Sequence, residues 1–154
     1  MEYKIIKMNK KHLIHSICTI MLGVFFIYKG IDKIPVKLKD ISAEEIQQTI
    51  IEKNSYEAPV GYKITMNTMR QSGFLKLIAF FQIICGILMI IPWTRLIGLL
   101  ILFPIIFNIF FMHVFFDNRI DENIVTGGIL LLTLILCSYY YKRLSKALYL
   151  KEGM

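Results

Sequence analysis

Four long apolar runs separated by charged or polar segments dominate the chain: about Leu13 to Tyr28, Gly73 to Ile91, Leu96 to Phe116 and Ile124 to Tyr141. The third holds twenty-one consecutive residues without a formal charge. A helix rises ~1.5 Å per residue and the hydrocarbon core of a bilayer is ~30 Å thick, so each run is near the length of a spanning helix. The pattern predicts an all-α fold: a four-transmembrane-helix bundle, one membrane domain over 1–154, with spans at 13–31, 73–91, 96–116 and 124–141. Pro92-Trp93-Thr94-Arg95 reads as a tight turn, because proline ends a helix and tryptophan suits the membrane interface. Asp117 to Asn123 reads as a short polar turn, and 142–154 as a basic tail.

The connection 32–72 breaks the pattern. It is a long polar loop of about forty residues with six basic and six acidic side chains. Ser42-Ala43-Glu44-Glu45 has the form of a capping box, and Ile46 and Ile50 follow at i, i+4 spacing. A short amphipathic helix is expected from about Ala43 to Lys53, on the bundle mouth or the membrane surface. Asn54 to Gly61, with Pro59, reads as a loop.

Composition strengthens the membrane reading. The chain is 56% hydrophobic and only 19% charged, with a mean hydropathy of +0.58, and a soluble domain of this length carries more charge. The net charge of +7 does not form a nucleic-acid surface. Lys4, Lys7, Lys10 and Lys11 precede the first run, and Lys142, Arg143, Lys146 and Lys151 follow the last, as membrane anchors do. With Arg95, nine basic residues lie on the side of the termini, against seven on the other. Both termini are therefore expected in the cytoplasm, with 32–72 outside, in a multi-pass protein of a bacterial cell membrane. The N-terminus has a basic stretch and then an apolar one, as in a signal peptide. No small-residue cleavage site follows, so the first span is expected to stay uncleaved.

Several chemistries find no support. Cys18, Cys85 and Cys137 fall in three different runs, with neither a reactive pair nor a zinc spacing, so no metal or thiol–disulfide site is expected. There is no Gly-rich phosphate loop or dinucleotide fingerprint. No Asp or Glu lies inside a span, which disfavours a proton-coupled exporter. No GxxxG motif suggests a dimer face, and the oligomeric state stays open.

The polar residues of the spans gather at the outer end: Lys29, Asp32 and Lys33, then Lys76, then His113 and Asp117 at i, i+4, then Thr126. Gln82 and Asn108 lie deeper, and His15 sits alone at the inner end. His113 admits two roles: a proton shuttle or hydrogen-bond donor to a quinone-like headgroup, or a structural partner of Asp117. Bis-histidine haem ligation is disfavoured, since His15 and His113 lie near opposite faces, roughly 20 Å apart. Asn108 and Gln82 are expected either to hydrogen-bond across helices or to touch a ligand. Pro104 should kink its helix and free the Leu100 carbonyl. Thr126, Thr133, Cys137 and Tyr140 share a face expected to turn inward, and Tyr139-Tyr140-Tyr141 reads as an interfacial belt. Lys29, Lys33 and Lys76 either snorkel to headgroups or form an anion site. At ~3.6 residues per turn Asn108 and His113 are about 140° apart, which argues for a structural Pro104/Asn108 face and a separate His113/Asp117 mouth.

The order of these features resembles the DoxX-like family. Gly23-Val24-Phe25-Phe26-Ile27 leads into Gly30 and Lys33; Ser72-Gly73-Phe74-Leu75 opens the second span, and Gln82-Ile83-Ile84-Cys85-Gly86 continues it. Phe103-Pro104 through Asn108 to His113, a Pro…Asn…His run, is the most specific part of the likeness. The resemblance covers nearly all of the chain outside the long loop. It departs at Gln82, where many relatives have glutamate, and at Cys85, where glycine is common. It implies a small four-helix membrane protein linked to membrane oxidoreductase and quinone systems. The expected ligand site is Lys33, Gln82, Asn108, His113 and Asp117, with a quinone as bound ligand and no cofactor of its own. The expected partners are the bilayer and a membrane oxidoreductase subunit. Because no self-contained catalytic constellation is present, an accessory subunit is expected rather than an enzyme. The alternative is a non-catalytic assembly factor or chaperone for membrane proteins; solute or lipid transport is a weaker third.

Overall fold

The structure is a computed structural model and describes residues 10–37 and 59–148. Every regular element among them is helical: α1 (Lys10–Lys37), α2 (Val60–Gln71), α3 (Phe74–Ile90), α4 (Arg95–Met112), a π-helical turn (His113–Asp117), α5 (Ile120–Ser138) and α6 (Tyr141–Leu148). Lys10–Ile34, Arg95–Asp117 and Ile120–Ser138 are each long and apolar enough to cross a membrane. α2 and α3 meet the same criteria only as a pair bent by 76°, so there are three candidate spans, or four with that pair. The large apolar side chains on the outside, among them Ile14, Ile17, Met21, Val24, Leu131 and Ile135, suit lipid and would be a liability in water.

α1, α3, α4 and α5 run up and down. α1 packs on α3, α3 on α4, and α4 on α5. Backbone proximity fixes the first of these contacts. A Cβ added to Gly86 would stand 2.6 Å from the Gly23 carbonyl oxygen, and one added to Gly30 3.0 Å from the Ala79 carbonyl oxygen. Gly23/Gly30 and Ala79/Gly86 are each seven apart, which places each pair on one stripe of its helix. Small residues of this kind let helices touch in lipid, where no hydrophobic drive brings them together. α4 reaches α3 at Gly98, whose added Cβ would meet the Cys85 carbonyl oxygen at 2.9 Å. Around these contacts lies the core: Leu22 and Phe26, Cys85 and Met89, Leu99, Leu102 and Ile106, and Leu136.

The end at which α1 begins is tied together by polar contacts. His15 shares a 3.2 Å hydrogen bond through Nε2 with the Leu136 carbonyl, stacks on Tyr139 at 4.1 Å and meets Tyr140 edge-on at 5.1 Å. The Thr94 hydroxyl donates to the Leu88 carbonyl at 2.8 Å, capping the end of α3. Expected as a lone residue, His15 is thus the link between α1 and the end of α5.

Element boundaries differ from the sequence expectations. The expected helix at Ala43–Lys53 lies outside the described residues. Val60–Gln71, expected as loop up to Gly61 and as polar connection beyond, is helical from Val60, with Pro59 as the extended residue that precedes it. α5 begins at Ile120, not 124, because Asp121 and Glu122 suit the positive N-terminus of a helix, and it ends at Ser138, with α6 separate. α2 passes to α3 through Gly73, whose φ of +77° is left-handed and costs glycine little.

Candidate functional site

The helices part toward the end that carries the long connection. There they surround a cavity of about 820 Å³. α1 contributes Lys29, Asp32 and Lys33; α2 roofs it with Tyr62, Met66 and Met69; α3 adds Phe74 and Ile78. The far wall is α4, from Pro104 through Ile105, Asn108 and Ile109 to Met112 and His113, with Arg119 and Glu122 at the rim. The walls are mostly aliphatic, aromatic and methionine side chains, and the charged groups Lys29, Asp32, Lys33, Arg119 and Glu122 join Thr65, Asn108 and His113 around them. Methionine adapts to irregular ligands.

Lys33, Asn108 and His113 line this cavity together. Asn108 and His113 had been expected to serve separate faces. The cavity spans a broad sector of α4, so residues about 140° apart reach the same space. Gln82 and Asp117 stand behind the wall. Buried Gln82 accepts a 2.6 Å hydrogen bond from Lys33 Nζ and so holds the ammonium across the α1–α3 contact. Asn108 makes no bond across helices among the described residues; its Nδ2 donates to the Pro104 carbonyl at 2.7 Å, on its own helix. This i−4 side-chain bond takes the carbonyl of Pro104 itself, while the acceptor freed by the missing proline N–H is that of Leu100.

The rim is an ionic cluster centred on Asp117, whose side chain is fully buried. Its Oδ2 lies 3.2 Å from His113 Nδ1 and accepts a 2.9 Å bond from Arg119 Nε. Arg119 Nη2 donates to Glu122 Oε1 at 3.1 Å. With Asp117 ionised, Nδ1 carries the proton, and Nε2 is the ring atom left for a ligand. The bond to Asp117, and then the charges of Asp117 and Glu122, hold the Arg119 guanidinium protonated above its ordinary range, so this pairing does not change across physiological pH. The π turn closes with Asn118 N–H on the His113 carbonyl at 2.6 Å, and Asn118 follows at φ +51°. π turns recur at functional sites, where the wider turn re-aims side chains. Among the described residues no group of His, Cys, Asp and Glu could hold a metal ion.

Sequence reasoning missed Tyr62, Met66, Met69 and the roles of Arg119 and Glu122. The i, i+4, i+7 spacing of Tyr62, Met66 and Met69 was the available signal for α2. Comparison of the chain with family models, with curated proteins and with solved structures finds no match.

Proposed function

We propose that the protein is a DoxX-like accessory subunit of a membrane redox system. In this reading both termini are in the cytoplasm of a bacterial cell, and the cavity at the opposite end binds a lipophilic molecule with a polar head, a quinone in the first instance. The supporting observation is the cavity: a space of about 820 Å³ with mostly apolar walls and with Lys33, Asn108 and His113 among its polar groups. A quinone carbonyl accepts hydrogen bonds from an ammonium or an amide N–H, and from His113 Nε2 when both ring nitrogens carry protons, while its ring and tail suit the Phe74, Ile78 and Met66 walls. Gln82 and Asp117 preorganise Lys33 and His113 from behind, as supporting residues do at binding sites. The protein supplies binding and orientation, and the partner oxidoreductase supplies the electrons.

The test is titration of the purified protein with a short-chain benzoquinone. Loss of one hydrogen bond to a ligand weakens affinity roughly five- to tenfold. His113→Ala and Lys33→Met should each show a loss of that order, and Asn108→Ala a smaller one because its amide is already engaged with Pro104. Binding by His113→Ala and Lys33→Met equal to that of the natural chain would remove this site. Crosslinking in membranes should then recover a partner with its own redox cofactor; recovery of varied membrane proteins without cofactors would favour an assembly factor instead.

A further inference from the structure

Among the described residues, every carboxylate lies toward one end of the bundle: Asp32, Asp117, Asp121 and Glu122. The opposite end, at which α1 begins, carries Lys10, Lys11, Arg95, Lys142, Arg143 and Lys146. Arg95 differs from the others in being buried, with 7% of its surface exposed. Its Nε donates to the Met89 carbonyl at 3.2 Å and its Nη1 to the Ser16 hydroxyl at 2.8 Å. These bonds fix the guanidinium between α1 and α3 but supply no countercharge. The carbonyl dipoles at the end of α3 favour a cation, while the N–H groups at the start of α4, which Arg95 opens, oppose one. Nη2 has no acceptor among the described residues and is not sealed from the surface. His15 and Tyr140 lie near enough to feel the Arg95 charge, and Trp93, two residues away, is 85% exposed at the position of an interfacial anchor.

We propose that Arg95 is the deep ligand of a phosphate site at this end of the bundle, and that the headgroup of an anionic phospholipid fills it. A guanidinium held by two of its nitrogens presents the third to a phosphate oxygen in a fixed direction, which a solvated lysine does not. Lys142, Arg143 and Lys146 on α6 add a basic surface beside it, of the kind that anionic leaflets attract. The headgroup is favoured over free phosphate because Arg95 lies at the level marked by Trp93 and by the tyrosines that follow α5. The lipid would supply the charge that Arg95 lacks from the described protein, and would set this end in the anionic cytoplasmic leaflet.

Trp93 is the only tryptophan in the chain and serves as the reporter. The full chain is placed in phosphatidylcholine vesicles containing either acyl-brominated phosphatidylglycerol or acyl-brominated phosphatidylcholine, and quenching of Trp93 is measured against lipid fraction. The expected result is a preference for phosphatidylglycerol of roughly tenfold, the size of one charge-assisted bond. Arg95→Gln should abolish it. Arg95→Lys keeps the charge at the end of α3, guarding against a merely unfolded variant, and should lower the preference several-fold. Lys63→Gln, on α2 at the other end, should leave it unchanged. Equal quenching by the two lipids in the natural chain, or a preference kept in both Arg95 variants, would overturn the site. Abolition of the preference by millimolar inorganic phosphate would overturn the lipid as its occupant.

Discussion

The two halves of the bundle are built differently. Toward the termini, backbones nearly touch at Gly23 and Gly86 and at Gly98, and Phe26, Met89, Leu99 and Leu102 fill the interior. Toward the long connection α1 and α3 stay in contact at Gly30 and Ala79, but about 820 Å³ opens between them and α4. The difference follows from where small residues lie. In lipid, helices associate through close packing, not through escape from water. α4 has Gly98 against α3 and then no glycine, alanine or serine through Phe116; instead come Phe103, Phe107, Phe110 and Phe111. It cannot stay close to α3 beyond that point. The cavity is the space left where the small-residue seam of α4 stops and α2 covers the gap.

The most damaging way to break this contrast is Gly86→Leu. Its Cβ would stand 2.6 Å from the Gly23 carbonyl oxygen and 2.6 Å from Ile27 Cγ1, so the backbones themselves would have to separate. Overpacking costs about 1–3 kcal/mol where side chains can give way, and more is expected where they cannot, at about 3 kcal/mol or above. Gly128→Leu is the matched control, because nothing lies within 4 Å of an added Cβ there. Detergent-titration unfolding of the two variants should differ sharply; equal stability would deny the seam its role.

At the other half the largest effect is expected from Asp117→Ala. It removes the acceptor for both Arg119 and His113. Loss of one member of a fully buried pair costs about 3–5 kcal/mol, but Arg119 is a third exposed and keeps Glu122, so about 1–2 kcal/mol is expected. Quinone affinity should fall with it, since His113 loses the partner that orients its ring. A variant as stable as the natural chain, binding as tightly, would make the ionic rim incidental.

Much of this architecture was legible from apolar runs alone. The spans at 96–116 and 124–141 overlap α4 and α5 because uninterrupted apolar length is a strong signal. Asn108 and His113, which line the cavity, stand out in the sequence because polar groups within such runs are rare, and Lys33 stands out because it follows the first run at its outer end. α2 was not, because its side chains are polar or only partly covered and its pattern sits in a charged connection. The π turn leaves no mark in a periodic reading, and so the burial of Asp117 beside His113 was not foreseeable beyond their i, i+4 spacing. Arg95 was read as one more charge in a turn; that its guanidinium reaches back to Met89 and Ser16 depends on how α1 and α3 meet.

A smaller effect tests how the roof is set. Gly73 holds φ +77° between α2 and α3. An alanine there has open space around its Cβ, so only the backbone conformation resists it, by about 1–2 kcal/mol. If the bend positions Tyr62, Met66 and Met69 over the cavity, Gly73→Ala should weaken quinone binding by more than its stability loss accounts for. Unchanged affinity in the folded variant would show that α2 does not help to bind.

The subtlest test concerns Gln82, which touches the cavity only through Lys33. Gln82→Leu keeps the volume and removes the acceptor 2.6 Å from Nζ. Lys33 keeps a further interaction, and its head borders the cavity, so the stability cost should stay near ~0.5–1 kcal/mol. The larger consequence is positional, since an ammonium on a four-carbon stem without its anchor samples several rotamers, and quinone affinity should fall a few-fold. Gln82→Glu gives the opposite perturbation. The carboxylate would hold Lys33 more tightly and draw its charge away from a ligand carbonyl, so stability should rise slightly while affinity falls. If both variants bind as the natural chain does, Lys33 is not held for a ligand, and the Lys33–Gln82 bond belongs with the glycine seam as packing between α1 and α3.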